Sequence, residues 1–241
     1  MGKLFDFTLV FTQIPRVLKY LPITMEIALI SCMGSLIIGF LVAIVKIKKI
    51  RVISPLAHFY VAFTRGTPVL VQLYLTYYGI PMILQAINHA YGTQFNVNGI
   101  APIVFALIAL SLNEAAYSSE SIRAAIESVD KGQMEAAMSI GMTTPQALRR
   151  IILPAALVVA LPSLGNSFIG LIKGTSLVFV TAVVEMTAAG KLLASRNFRY
   201  FEMYITLAII YFLVTSVVSW LLHRVERRLR CNERQVPRVK S

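Results

Sequence analysis

Five apolar runs, each about as long as a bilayer core is thick, constrain this chain more than any other feature. A helix rises about 1.5 Å per residue, so about 20 apolar residues cross the hydrocarbon. The runs are Tyr20–Val45, Thr67–Ile87, Ile100–Ile126, an interrupted Ala155–Val184, and Met203–His223. Only 14% of the 241 residues are charged and 57% are hydrophobic, whereas about a quarter of a soluble domain is charged. The expected fold is an all-α integral membrane protein with five transmembrane helices. The first run is too long for a cleaved signal peptide, and Lys3, Arg16 and Lys19 lie scattered ahead of it. Cys32 in an apolar run and Cys231 in a basic tail argue against a disulfide framework.

Three stretches follow along the chain. Residues 1–19, with Phe5, Phe7, Leu9 and Phe11, read either as an N-terminal interfacial segment or as a loosely ordered terminus. Residues 20–222 form a transmembrane domain, and residues 223–241 a basic tail. The net charge of +12 belongs to the loops. Lys46, Lys48, Lys49 and Arg51 lie in the first connection, with Arg65 before the second run, while Gly79 to Gly99 holds no Lys or Arg. The tail holds Arg224, Arg227, Arg228, Arg230, Arg234, Arg238 and Lys240 against Glu226 and Glu233. Positive loops stay on the cytoplasmic side, so the first connection and the tail are expected inside and the N-terminus outside. Lys191, Arg196 and Arg199 dissent, softened by Glu185 and Glu202. In a membrane chain the basic excess is an orientation signal and an anionic-lipid contact, not a nucleic-acid footprint.

This topology puts the longest polar stretch, about 127–154, in the cytoplasm. Asp130 reads as an N-cap with Gln133 completing a capping box. The helix is expected to run to about Ile140 and to stop at Gly141, where the left-handed conformation costs glycine little. Thr143 or Thr144 with Pro145 starts a second short helix, and Pro154 opens the fourth span. The expectation is a helix–Gly–helix element held between two membrane helices.

Within it, Glu135-Ala136-Ala137, then Gly141, then Ile151, Leu153 and Pro154 match at every fixed position the EAA motif of permease subunits of ABC importers. Ala115-Ala116-Tyr117, Glu120, Arg123, Gly132-Gln133, and Arg65-Gly66-Thr67-Pro68 followed by Val71-Gln72-Leu73, resemble the polar amino-acid uptake branch. The resemblance spans about residues 20–222. It implies a type I permease fold in a bacterial cytoplasmic membrane, and short EAA-loop helices seated in a cleft of a separate ATPase. It implies two ATPase subunits, an external amino-acid-binding protein, and a second permease copy as homodimer or a similar permease as heterodimer. Ala136 and Ala137 then permit close approach and Gly141 the reversal. Glu135 pairs with a basic group or holds the loop, and Ile151 and Leu153 anchor the second helix.

No motor is legible in the chain. Its one Gly-Lys pair, Gly190-Lys191, is followed by Leu192, not Ser or Thr, so no phosphate cradle forms. ATP and Mg belong to the partner, and no cofactor, metal site or catalytic residue is expected here. An intramembrane enzyme is the contrasting class. His58, His89 and His223 are scattered, and neither His-Glu-x-x-His nor Gly-x-Ser-x-Gly occurs.

Polar groups inside a membrane are functional candidates by default. The fourth run carries Pro162, Gly165, Asn166, Ser167, Gly170, Lys173, Gly174, Thr175 and Ser176. Pro162 and Gly165 are expected to loosen the helix. Gly170 and Gly174 fit either a cavity lining or a close packing face. In similar proteins substrate contacts fall at Lys173-Gly174-Thr175-Ser176-Leu177. Many relatives that carry cationic or amide substrates have Asp at the place of Gly174, and the variant here resembles cystine-type members. L-cystine is therefore the leading substrate, with glutamine, arginine or histidine as alternatives. Thr175 and Ser176 suit a substrate carboxylate, and Asn166 or an acidic group its ammonium. Asn113 and Glu114 lie mid-span, facing either a cavity or a structural partner. Glu26 either meets a partner across the dimer or snorkels. Tyr77 is a candidate pathway residue whose plainer reading, shared with Tyr78, is packing at the interface. Glu120 and Arg123 share a face as a structural pair, and His58 sits in an interfacial helix over about residues 54–64.

Overall fold

The computed structural model describes residues 5–233, and all their regular structure is helical. Arg234, Arg238 and Lys240 of the tail, and Lys3, lie outside the described residues. The chain opens with α1 (Phe7–Leu18), capped by Asp6, whose carboxylate accepts from the Thr8 amide at 2.9 Å. Val10, Gln13 and Val17 are buried while Phe7 and Phe11 face outward. Residues 7–18 thus form an amphipathic helix, and Thr206 of the last helix donates to the Val10 carbonyl at 3.0 Å.

Five helices are long and apolar enough to cross a membrane. They are α2 (Leu21–Ile47), α4 (Val69–Tyr91), α5 (Pro102–Glu127), a rod containing α8 (Leu153–Gly174), and α10 (Tyr200–Glu233). Between α2 and α4 lies α3 (Ile53–Gly66), which buries Ala57, Val61 and Thr64 and exposes Leu56, Phe59 and Phe63. It covers the helix expected over about residues 54–64. α10 begins before Met203 and continues past His223, so the start of the basic tail is a helical extension of the last span.

A seam of small residues joins α2 to α5. A Cβ on Gly39 would lie 3.1 Å from the Ala115 carbonyl oxygen and 3.2 Å from the Ser119 amide. Small side chains let helix backbones meet where water supplies no driving force. Beside the seam, Ile27, Leu73, Leu110, Leu171 and Val178 form one core cluster. A second cluster, Val17, Met186, Met203, Leu207 and Ile210, ties α1 to α10 and to the short α9 (Met186–Ala194). At the end of α5, Glu120 pairs with Lys46 of α2 and with Arg123 at 2.8 Å, and Arg123 meets Glu127 at 2.6 Å. The expected Glu120–Arg123 pair is therefore part of a four-residue network.

The fourth span differs from its reading in sequence at both ends. A four-residue helix, α7 (Thr144–Ala147), passes through a wide turn at Leu148–Ile152 straight into α8, and the rod runs unbroken from Thr144 to Thr181. The second short helix is thus the end of the span itself. The cause is Pro154. It has no N–H and its ring crowds the preceding turn, and the turn widens so that the Leu153 amide bonds the Leu148 carbonyl five residues back. At the far end α8 passes through Pro162 and Gly165 without a break, since one lost hydrogen bond is tolerable inside a packed bundle. The helix tightens only after Gly174, into a 3-10 segment Thr175–Thr181 that Ala182 closes at φ +61°.

Candidate functional site

Two features separated by the fourth span carry the chemistry: a helical reversal at one end and a groove along the bundle. The reversal begins with α6 (Lys131–Ser139). The Asp130 carboxylate accepts from the Gly132 amide at 2.8 Å. Among the described residues Gln133 makes no reciprocal bond; the reciprocal contact occurs one helix later, where Gln146 accepts from the Thr143 amide at 2.9 Å. At the end of α6, Gly141 takes φ +85°. Its amide donates to Met138 at 3.0 Å and the Met142 amide to Ala137 at 3.1 Å. This double bond pattern satisfies the last carbonyls and needs a residue at ease in the left-handed region. Ala137 and Ala147 are buried, whereas Glu135, Ala136, Met138 and Ile140 are exposed. Ile140 is 75% exposed. Ile151 and Leu153 are half-buried, and the fully seated anchor is Ile152, at 5% exposure. The wide turn accounts for the offset, because an extra residue per turn rotates the inward face by one position.

The groove has a volume of about 770 Å³ and lies between α2, α5 and α8. Leu29, Cys32 and Phe40 form one wall, Leu157, Leu164 and Phe168 another. Arg149, Leu153 and Pro154 line its mouth, so the groove starts at the same wide turn that joins the reversal to the span. Glu114 and Ser118 of α5, with Ser35 and Ser167, are its polar side chains away from that mouth. Ser167 stands beside the Glu114 carboxyl, and among the described residues Oε1 of Glu114 is buried without a partner.

The other candidates spread around the bundle. Asn113 faces α4 instead and donates to Gln72 at 3.0 Å. Gln72 in turn donates to the Thr67 hydroxyl at 2.8 Å and the Thr64 carbonyl at 2.9 Å. That chain of bonds fixes the Arg65–Pro68 corner. Asn166 is exposed beside a small cleft shared with Pro162 and His223. Lys173 is exposed, Gly174 and Ser176 are half-buried, and Thr175 is fully buried with its hydroxyl donating to Ile172 at 2.7 Å. A Cβ on Gly170 or Gly174 would meet nothing within 4 Å, so neither packs closely on a helix of this chain. Glu26 lies on the exposed side of α2 with Ile30 and Met33, and Tyr77 stands edge-on to Phe105 with ring centres 5.6 Å apart.

Glu185 is the group that its loop position hid. It is fully buried and caps α9, accepting from the Thr187 and Ala188 amides at 2.9 Å and the Tyr211 hydroxyl at 3.1 Å. Its signal is local: an acid followed by Met186-Thr187-Ala188-Ala189 has the form of an N-cap. Lys191, counted among the loop charges, sits 3.5 Å from the centre of the Phe179 ring.

Residues 35–230 match the family described as binding-protein-dependent transport system inner membrane component. The chain is 46% identical to a probable amino-acid ABC transporter permease, PatM, of Vibrio harveyi, over 89% of this chain and 92% of that one. It is 37% identical to the L-cystine transport system permease TcyL of Bacillus subtilis (strain 168), over 99% and 98% respectively. A crystal structure of an amino acid ABC transporter with histidines superposes with a TM-score of 0.78 at 36% identity, covering 93% of this chain and 99% of that one. The five spans, the glycine reversal and the family match together place this multi-pass chain among the binding-protein-dependent transport system inner membrane components, as the permease subunit of an amino-acid ABC transporter.

Proposed function

We propose that this permease moves a polar amino acid by alternating access and takes its drive from a separate ATPase through the α6–Gly141–α7 element. The observation that carries the reading is the exposed reversal. Ala136, Met138 and Ile140 are exposed apolar side chains of α6 and its C-terminal cap, and beyond the Gly141 reversal the rod from Thr144 to Thr181 runs without a joint into the bundle. A push on this element tilts the whole fourth span, and with it one wall of the groove. The basic first connection sets this element on the cytoplasmic side with the N-terminus outside. Glu135 makes no ion pair among the described residues and remains free for a basic group on the ATPase. The working unit is two permease chains, two ATPase subunits holding ATP and Mg, and an external binding protein.

L-cystine is the substrate we infer. The support is the near full-length likeness to an L-cystine permease and the open space at Gly174. The test uses the complex in proteoliposomes. In Gly141→Asp the added Cβ meets nothing within 4 Å among the described residues. The backbone strain at φ +85° costs about 1 kcal/mol, too little to unfold the bundle. Membrane insertion is expected intact, while the ATPase activity stimulated by loaded binding protein falls to the unstimulated level. Uptake at the wild-type rate sinks the coupling assignment. For the substrate, the cognate binding protein titrated with L-cystine, L-glutamine and L-arginine is expected to prefer L-cystine.

A further inference from the structure

We propose that Glu114 is the site that receives the ammonium group of the transported amino acid. The proposal rests on the reading of the groove as the pathway of an amino-acid importer and assigns its charge recognition to a single residue. Glu114 is the thirteenth residue of the 26-residue α5 and so lies at mid-span, where an ionisable group is costly and is retained for a use. Among the described residues it is the one acidic side chain on a groove of about 770 Å³ whose walls are mostly leucine, isoleucine, phenylalanine and alanine, with Cys32, three serines and, at the mouth, Arg149. That volume lies within the range of small-ligand sites, about 300–1,000 Å³.

The carboxyl is also left unfinished. Ser167 offers one hydroxyl, but Oε1 is buried with no donor. Buried polar atoms in folded chains are paired as a rule, and an exception calls for a reason. Other carboxylates of this chain follow that rule. Glu120 holds Lys46 and Arg123, and Glu185 holds two amides and a phenol. Arg149, the only basic side chain on the groove among the described residues, belongs to the wide turn at its mouth. An ammonium group brings the missing N–H donors and the missing countercharge together. Because the groove holds one acid, it suits a substrate whose side chain carries no net charge: the far half of L-cystine is itself a zwitterion, whereas the uncompensated cation of a lysine- or arginine-type side chain meets apolar walls.

The test uses the purified permease–ATPase complex in detergent, without binding protein. Equilibrium binding is measured for L-cystine, L-glutamine and L-arginine and for skeletons lacking the ammonium, dithiodipropionate and glutaramate. The wild type is expected to prefer the amino acid over its ammonium-free skeleton. Glu114→Gln is expected to weaken amino-acid binding roughly tenfold or more, the scale of a lost charge-assisted bond, and to erase that preference. Glu114→Asp keeps it in part. The exchange Glu114→Ser with Ser167→Glu returns a carboxylate to the same groove from α8 and is expected to restore it. If Glu114 merely holds α5 to α8, Glu114→Gln shifts the unfolding midpoint and leaves the preference unchanged, and the proposal is overturned. It is equally overturned if the exchanged pair folds but does not regain the preference. A wild-type complex that binds none of these amino acids in detergent and takes up none in proteoliposomes with its binding protein removes the importer reading itself.

Discussion

Two carboxylates, the fully buried Glu185 and the half-buried Glu114, occupy opposite kinds of ground. Around Glu185 the chain is closed: α1, α9 and α10 bury Val17, Met186, Met203 and Leu207 together, and the carboxylate accepts from two amides and Tyr211. Around Glu114 the chain is open: α2, α5 and α8 stand apart over a groove, and one carboxylate oxygen faces no donor. The difference is not one of charge or of helix type. A charge that serves the fold is surrounded by its own chain's donors, and a charge that serves a ligand is left short of them. The filled region therefore sets stability, and the open region can change without unfolding the molecule.

The largest expected effect tests that division directly. Glu185→Ala strips the acceptor from the Thr187 and Ala188 amides and from Tyr211, removing a helix cap and stranding buried donors. The loss is roughly 3–5 kcal/mol, read as a large fall in the unfolding midpoint of the detergent-solubilised chain. Glu185→Gln keeps one acceptor oxygen and is expected to lose less. Glu114→Leu, which removes an unpaired polar atom from an apolar wall, is expected to leave the midpoint unchanged or to raise it. Equal losses at the two positions would break the comparison.

A smaller effect probes the seam beneath the groove. At Gly39 an added methyl meets the Ala115 carbonyl and the Ser119 amide at 3.1 and 3.2 Å, and backbone atoms on a packed helix cannot step aside. Gly39→Ala is expected to cost about 1–3 kcal/mol as overpacking, partly offset by alanine's higher helix propensity. Thermal unfolding measures it. No change would mean that α2 and α5 are free to spread.

The same contrast separates what the sequence disclosed from what it withheld. The five spans were legible because crossing a bilayer demands about 20 apolar residues in a row. The reversal was legible because one glycine at a helix end carries its own conformational reason, and φ +85° at Gly141 bears it out. The wide turn at Leu148–Ile152 was not legible, since hydropathy is blind to a hydrogen bond that skips one residue. Nor was the fate of Asn113, whose partner Gln72 is 41 residues away and is brought near only by packing. Pro162 and Gly165 looked like the weak point of the fourth span. The surrounding helices carry that stretch, and the backbone tightens at Gly174 instead. Glu185 was misleading in the opposite sense, a loop acid by position that is a buried cap by structure.

The smallest expected effect lies on the open side, at Gly174. A Cβ there meets nothing within 4 Å, so Gly174→Ala adds a methyl to free space at the end of a helix. Loss of backbone freedom in the unfolded chain then favours the folded form by up to about 1 kcal/mol, seen as a midpoint that holds or rises slightly. The isolated chain cannot distinguish a pathway glycine from a surface one, but the assembled pair of permeases can. If Gly174 packs on the second permease, the alanine variant keeps the midpoint of the single chain and lowers the fraction of paired permease in native mass spectrometry. If Gly174 borders the pathway instead, pairing is unchanged and any loss appears in uptake of the bulkiest substrates first, because the added volume is taken from the space they occupy.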